Sequence, residues 1–292
     1  MKKDLTINFH LIKKCNYHCN YCYAQFKDSN KMTYTEAVSI INEISDSGFS
    51  KINFAGGEPF LFNGLGNLIK LSKERGLITS IISNGSLLNK SWLEQFGEYL
   101  DIFGISCDSA NEYTHKAIGR GTGTSVKKII NSYDMINQYN EKHEDKIFTK
   151  MNTVVNRINF NEDMSSLVLN SKVLRWKLLQ VLPIQNENDQ IVDSITINNQ
   201  EFYSFVNRHS NLKNMGVEVV PENNDAMTES YLMIDPDGRF YQNTNGKYFK
   251  SKSILKIGIQ KAINEINFNK NKFLERGGLY HPSVGNEIGA YL

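Results

Sequence analysis

Short β-branched or apolar runs alternate with amphipathic stretches through the first two thirds of the chain, the pattern of βα units that build a parallel sheet. Strands are expected at Thr6–Leu11, Lys51–Phe54, Thr79–Ile82, Ile102–Ser106, Phe148–Val155 and Trp176–Val181. Six such strands predict an α/β fold, a partial (βα)6 barrel, with residues 1–183 as its core and 184–292 as a C-terminal extension of the same folding unit. Thr35-Glu36-Ala37 opens a helix capped by Thr33 or Thr35, Asp46-Ser47-Gly48-Phe49 stops it, and Val126–Tyr139 is a second amphipathic helix. Residues 185–190, Gln-Asn-Glu-Asn-Asp-Gln, contain no apolar side chain and read as a surface connection, an insertion. Farther on, apolar runs either side of Asp237-Gly238 predict a β-hairpin over Tyr231–Tyr241. The glycine-rich segment from Arg276 to Leu292 has little periodicity and reads as a disordered tail or a closing lid. Loops after successive strands meet at one face of a βα barrel, so distant residues converge there.

The loop after the first strand holds the most informative residues. Three of only four cysteines, Cys15, Cys19 and Cys22, fall within it in a Cx3Cx2C spacing. A cubane iron–sulfur cluster usually takes four cysteines, so three would leave one iron open to a small molecule. Two other readings stay open at this point: zinc completed by His10 or His18, and chance clustering. Cys107, the remaining cysteine, reads as a small core residue.

Composition narrows the class. With 292 residues and 40% hydrophobic content, the chain can bury one large core. Its 33 Lys and Arg balance 31 Asp and Glu, which gives no field for nucleic acid. No apolar run reaches membrane-spanning length and no signal-peptide core precedes the first strand, so a cytoplasmic protein is expected, in keeping with clustered reduced thiols.

Other loops add chemistry. Gly56-Gly57-Glu58-Pro59 follows the second strand, where adjacent glycines permit close backbone approach to a ligand and the carboxylate could accept bonds from an ammonium group. Ser83-Asn84-Gly85-Ser86 and Ser106-Cys107-Asp108-Ser109 follow the third and fourth strands with small polar groups suited to ribose or carboxylate contacts. Lys51, Lys150, Arg175 and Lys177 sit on or beside strands, where bare charge is costly unless it meets an anion.

The cysteine spacing, with Tyr21 before the third cysteine, resembles the radical S-adenosylmethionine (SAM) superfamily. The resemblance implies a partial (βα)6 radical SAM barrel with one [4Fe-4S] cluster on Cys15, Cys19 and Cys22 and SAM as cofactor. In that chemistry the C5′–S bond of SAM breaks to give a 5′-deoxyadenosyl radical that abstracts hydrogen from an unactivated carbon. Asn8-Phe9-His10, Lys51-Ile52-Asn53-Phe54, Gly56-Gly57-Glu58-Pro59-Phe60-Leu61, Ser83-Asn84-Gly85-Ser86-Leu87, Ile118-Gly119-Arg120-Gly121, Arg175-Trp176-Lys177, Tyr231-Leu232 and Arg276-Gly277-Gly278 together resemble the viperin family over nearly the whole chain. Animal viperins carry an N-terminal amphipathic membrane helix, and the resemblance here is to the soluble, prokaryote-type members.

That likeness implies a nucleotide dehydratase of antiviral defence. It would convert CTP or UTP, with GTP possible, to the 3′-deoxy-3′,4′-didehydro analogue. Gly56, Gly57, Glu58, Ser83, Asn84, Ser106 and Arg120 would hold SAM. Asn8, Lys51, Lys150, Asn152, Arg175, Lys177 and Arg276 would bind the nucleotide, and Tyr231 would deliver a hydrogen equivalent late in the reaction. An electron donor such as flavodoxin or ferredoxin and a monomeric state are expected. Two positions depart from the animal pattern: Ala55 replaces a serine, and Asn243 with its neighbours differs from an Asn-Cys-Arg run. A peptide-modifying maturase is the competing enzyme reading, although such enzymes often carry extra cysteine motifs. A non-catalytic iron–sulfur or zinc scaffold is the third reading.

Overall fold

The computed structural model describes residues 3–278 and 280. All six expected strands are present: β1 (Lys3–His10), β2 (Phe49–Ala55), β3 (Ile78–Ser83), β4 (Ile102–Ser106), β5 (Phe148–Val155) and β6 (Arg175–Gln180). They pair in parallel and in sequence order, with Asn8 opposite Asn53 and Asn152 opposite Lys177. The sheet continues past six strands. β7 (Glu218–Glu222) adds in parallel to β6, while β8 (Leu232–Ile234), β9 (Arg239–Thr244) and β10 (Lys247–Ser253) extend the opposite edge. The order is β10-β9-β8-β1-β2-β3-β4-β5-β6-β7, so the boundary expected at 183/184 falls within one continuous sheet.

Two of the added strands form the edges of the sheet. β7 reads Glu-Val-Val-Pro-Glu, and proline suits only an edge strand, which is where β7 lies. β10 is the other edge and carries Lys247, Lys250 and Lys252, charges that discourage further pairing. It joins β9 through Asn245-Gly246, both in the left-handed region at φ 53° and 76°, a two-residue hairpin turn. The β8–β9 hairpin matches the expectation at Asp237-Gly238.

Helices α1 (Tyr34–Asp46), α2 (Leu65–Glu74), α3 (Lys90–Phe96), α4 (Glu112–Ala117), α5 (Ser125–Lys142) and α6 (Ser165–Asn170) fill the crossovers. Thr33, not Thr35, caps α1: its hydroxyl accepts the Glu36 N–H at 3.3 Å while the Glu36 carboxylate takes the Thr33 N–H at 2.8 Å. Strand alternation then sorts the residues. Ile7, Phe9, Ile52, Phe54, Met151, Trp176 and Leu178 turn one way into a core with Ile40, Ile41, Leu68, Ile129 and Ile136. Their neighbours Asn8, Lys51, Asn53, Lys150, Asn152 and Lys177 turn the other way and line an interior cavity. Residues of β1, β2, β5, β6, β9 and β10 border that one space, so the sheet curls around it. Among the described residues no helix is long and apolar enough to cross a membrane.

The polar run at 185–190 is more than a surface insertion. Gln185 N–H donates to the Gly246 carbonyl at 2.8 Å, linking the end of β6 to the β9–β10 turn. Asn188 is buried and donates to the carbonyls of Tyr21 (2.8 Å) and Leu182 (3.0 Å), while Glu187 accepts the N–H groups of Gln25 and Phe26 at 3.1 and 3.2 Å. Glu187 and Asn188 are therefore spent on holding the cysteine loop. Residues 281–292, most of the segment expected to be a tail or lid, lie outside the described residues.

Candidate active site

Cys15, Cys19 and Cys22 lie in the loop that leaves β1, all three half-buried. Backbone bonds from His18 and Asn20 to the carbonyls of Gly119 and Ile118 tie this loop to the end of α4. Tyr17 N–H points at the Cys15 sulfur at 3.4 Å, and Asn84 Nδ2 lies 4.0 Å from it. Burial raises the pKa of each thiol, and burial with the neighbouring Cys19 and Cys15 pushes Cys22 up to about 12. Such thiolates need a cationic group beside them. Among the described residues no three His, Cys, Asp or Glu side chains converge as a single ion would require. Cluster ligands need not converge, because each binds its own iron. His10, one candidate to complete a zinc site, is instead packed among the rings of Phe26, Tyr241 and Tyr23 at 5.3, 5.6 and 6.4 Å. The donor set therefore fits a cluster better than zinc.

Gly56 and Gly57 form a strap against that loop. Gly57 N–H donates to the Ile12 carbonyl at 2.5 Å and Glu58 N–H to the Lys14 carbonyl at 2.9 Å. A Cβ on Gly57 would lie 2.3 Å from the Lys14 oxygen, and one on Gly56, at φ 149°, 2.6 Å from the Ile12 oxygen. The close approach these glycines permit is thus to the backbone leading into Cys15. Glu58 is wholly buried, and its carboxylate accepts the Ser83 hydroxyl (2.8 Å) and the N–H groups of Asn84 (2.8 Å) and Phe60 (3.2 Å). Burial raises its pKa, and these donors counter it. Asn84 reaches on to Asn16 at 2.8 Å, so Glu58, Ser83 and Asn84 fasten the ends of β2 and β3 to the cysteine loop.

Arg120 is anchored by a residue the sequence did not single out. Its Nε lies 2.5 Å from buried Asp108, and its Nη2 lies 2.8 Å from the Tyr21 hydroxyl, which also bonds Asp108. Burial works against the guanidinium charge, but Asp108, Cys19 and Tyr21 together more than restore it. Ser106 contributes its carbonyl, 3.5 Å from Arg120 Nη1. Cys107 is a core thiol as expected, fully buried and pushed up to about 12 by burial.

The cations meet at the interior cavity, of about 150 Å³, whose walls include Asn8, Lys51, Lys150, Asn152, Lys177, Tyr231, Arg276 and Tyr280. Arg175 stands beside it, with its guanidinium 4.1 Å from the Tyr280 ring centre. The protein supplies its own anions to three of the five. Arg175 pairs with Glu218, while Lys177 and Arg276 share buried Glu222 at 2.5 and 3.3 Å. Lys51 and Lys150 have no ion pair among the described residues. Lys51 Nζ is buried without a hydrogen-bond partner and lies 3.4 Å from the Tyr280 ring centre; Lys150 Nζ lies 5.6 Å from it. Burial, then neighbouring cations, holds both ammonium groups well below the ordinary lysine range. Burial also lowers Lys177 to about 8, with Glu222 opposing the fall.

Amides complete the walls. Asn53 donates to Asn8 Oδ1 at 2.9 Å, leaving its own oxygen and Asn152 Oδ1 buried without partners. On β9, Asn243 Oδ1 accepts the Gly246 N–H at 2.9 Å, which fixes the amide and leaves a buried, unpartnered Nδ2 on a residue bordering the cavity. Tyr231 bonds both Lys177 and Glu222, and Arg276 lies 3.6 Å over its ring. Glu222, Glu218, Asp108 and Tyr280 were missed by sequence reasoning. Of these, only Asp108 sat in a motif that could have exposed it.

Comparison with known proteins gives concordant results. Residues 10–162 match the model of the Radical SAM superfamily. The S-adenosylmethionine-dependent nucleotide dehydratase of Lacinutrix mariniflava is 39% identical over 96% of this chain, which spans 59% of that relative's length. The protein of the same name from Flammeovirga pacifica is also 39% identical, over 94% of this chain and 95% of its own. Among solved structures, native anSMEcpe with bound AdoMet and Cp18Cys peptide superposes with a TM-score of 0.67 over 93% of this chain and 82% of that one. At 15% identity that likeness speaks to the fold alone.

Proposed function

We propose, from the premise that the chain belongs to the radical SAM superfamily and, within it, to the viperin family of S-adenosylmethionine-dependent nucleotide dehydratases, that it dehydrates CTP or UTP at the ribose. The product is the 3′-deoxy-3′,4′-didehydro nucleotide, a chain terminator suited to antiviral defence. A [4Fe-4S] cluster held by Cys15, Cys19 and Cys22, with SAM beside Gly56, Gly57, Ser106 and Arg120, supplies when bound the one-electron chemistry that removes hydrogen from an unactivated carbon. Electrons come from a flavodoxin- or ferredoxin-type donor.

One observation carries the substrate reading. Lys51 and Lys150 are buried ammonium groups without an anion among the described residues, on the wall of a cavity that also holds the unpartnered oxygen of Asn152. Buried charge is tolerable where an anion completes it, and a polyphosphate does so. Asn243 supports a base with a carbonyl oxygen, since its free Nδ2 can only donate. Both pyrimidines satisfy this, and adenine has no exocyclic oxygen. Ala55 offers no hydroxyl to the cavity.

The test is anaerobic incubation of reconstituted protein with SAM, dithionite and CTP, UTP, GTP or cytidine. Formation of 5′-deoxyadenosine should rise with the triphosphates and the dehydrated nucleotide should accumulate. Equal stimulation by cytidine and CTP would remove the triphosphate reading.

A further inference from the structure

Glu222 joins three residues of the cavity wall, Lys177, Tyr231 and Arg276. Its carboxylate is fully buried, with Oε1 at 2.5 Å from Lys177 Nζ and Oε2 taking the hydroxyl of Tyr231. Lys177 Nζ is also 2.9 Å from the Tyr231 oxygen. The direction of each bond follows from the groups themselves, because an ammonium only donates and a carboxylate only accepts. Tyr231 oxygen therefore receives from Lys177, and its own hydrogen points at Glu222. The phenol borders the cavity, yet its hydrogen is not aimed at anything bound there. Arg276, 3.6 Å from the ring centre and 3.3 Å from Glu222, holds the arrangement in place.

We propose that Tyr231 gives its reducing equivalent by two routes, the electron to the sugar and the proton to Glu222, with Lys177 passing a proton onward. This rests on the dehydratase reading above and on the reductant role that the family likeness implies for Tyr231. Once hydrogen has left C4′, the C3′–O bond breaks and the oxygen departs as hydroxide. The sugar gains one electron from Tyr231 and closes the C3′–C4′ double bond, while the Tyr231 O–H bond breaks and Glu222 takes the proton. Lys177 protonates the hydroxide to water and recovers a proton from Glu222. In balance, the sugar is reduced by one electron, tyrosine becomes a neutral tyrosyl radical, and one proton moves from tyrosine to water. A one-electron flavin or iron–sulfur protein then returns an electron, and solvent a proton, to the tyrosine.

The experiment compares wild type, Glu222→Gln and Glu222→Asp as cluster-loaded proteins with SAM and CTP, measuring 5′-deoxyadenosine, dehydrated nucleotide and CTP affinity by equilibrium binding. Glutamine can accept the phenol's hydrogen bond but cannot take its proton. Glu222→Gln should keep CTP-dependent 5′-deoxyadenosine formation, with product per 5′-deoxyadenosine falling at least about tenfold, the scale of a lost acid–base group. Glu222→Asp should recover most of that ratio. An unchanged ratio in Glu222→Gln, with CTP affinity unchanged or tighter, would overturn the proposal and leave Glu222 a counter-ion to Lys177 and Arg276. Should Glu222→Gln fail to fold by circular dichroism, wild type decides through product formation in mixtures of H2O and D2O. Relay through two groups gives a bowed dependence on deuterium fraction; a straight line overturns it. A wild type that makes 5′-deoxyadenosine but no dehydrated nucleotide from any triphosphate defeats the dehydratase reading itself, a result distinct from either.

Discussion

Replacing Lys51 by Met should make the ligand-free protein more stable and the nucleotide complex weaker. Lys51 is buried on β2 with no hydrogen bond to its ammonium among the described residues, and burial followed by Arg175 and Lys177 disfavours its charge. Exchanging a buried ion pair for apolar side chains of similar volume stabilises by up to about 1–4 kcal/mol, and relieving an unpaired buried charge should act on that scale. The contact with the Tyr280 ring, worth about 0.5–2 kcal/mol, is lost in exchange. A net gain of about 1–2 kcal/mol raises Tm by about 2–6 °C in a chain of this size. The phosphate contact removed is worth about 1.5–3 kcal/mol, so CTP should bind about ten- to a hundredfold more weakly. The pH dependence carries a sign. Lys51 in the folded state has a pKa below its unfolded value, so between the two the unfolded chain binds more protons and stability rises with pH. Lys51→Met should flatten that rise. Thermal unfolding of both proteins from pH 7 to 9, with and without CTP, reads all three effects. A variant that loses stability while keeping the full CTP-induced shift would refute the claim that Lys51 is a charge awaiting an anion.

Cys15→Ala should lose cluster iron and SAM cleavage together, whereas Cys107→Ala, a change within the core, should keep its iron; iron analysis with visible absorption separates the two. Gly57→Ala places a Cβ 2.3 Å from the Lys14 oxygen, so the strap must move; cluster content after reconstitution should fall even though no cysteine is touched. Asp108→Asn leaves Arg120 buried beside a neutral partner and should destabilise by about 3–5 kcal/mol. Denaturant unfolding measures it, and SAM affinity should fall with it.

The parallel strands β1, β2, β5 and β6 were legible because each has one face in the helix-packed core and one in the cavity, which imposes a period of two. β7 was not legible, since Pro221 argues against a strand unless its edge position is known. β10 could have been found, for Asn245-Gly246 is a strong local hairpin signal. The cations were recognisable as residue types in improbable places. Their partners were not, because Glu218 and Glu222 reach Arg175 and Lys177 only through strand pairing that joins β6 to β7. The Gly56-Gly57 pair was read as letting the backbone approach a ligand; the close approach the structure shows is to the chain's own segment Ile12–Lys14, which the local sequence does not announce. Asn188 was masked by its polar surroundings, although its amide is buried against Tyr21.

That bond, together with the one from the Tyr248 hydroxyl to the Tyr23 carbonyl, sets an order of assembly. The partners are separated by 167 and 225 residues. The cysteines therefore leave the ribosome long before the segments that hold their loop have been made. At about 5–20 residues per second, an interval of this length lasts about 10–45 s. Throughout it the three thiols sit on a flexible chain, open to oxidation and to stray metal. Loading with iron and sulfide then belongs after residues 185–190 and the β9–β10 hairpin have emerged and can hold the loop. Ribosome-bound chains stalled before residue 188 should accordingly take up no cluster, and chains extended past residue 253 should.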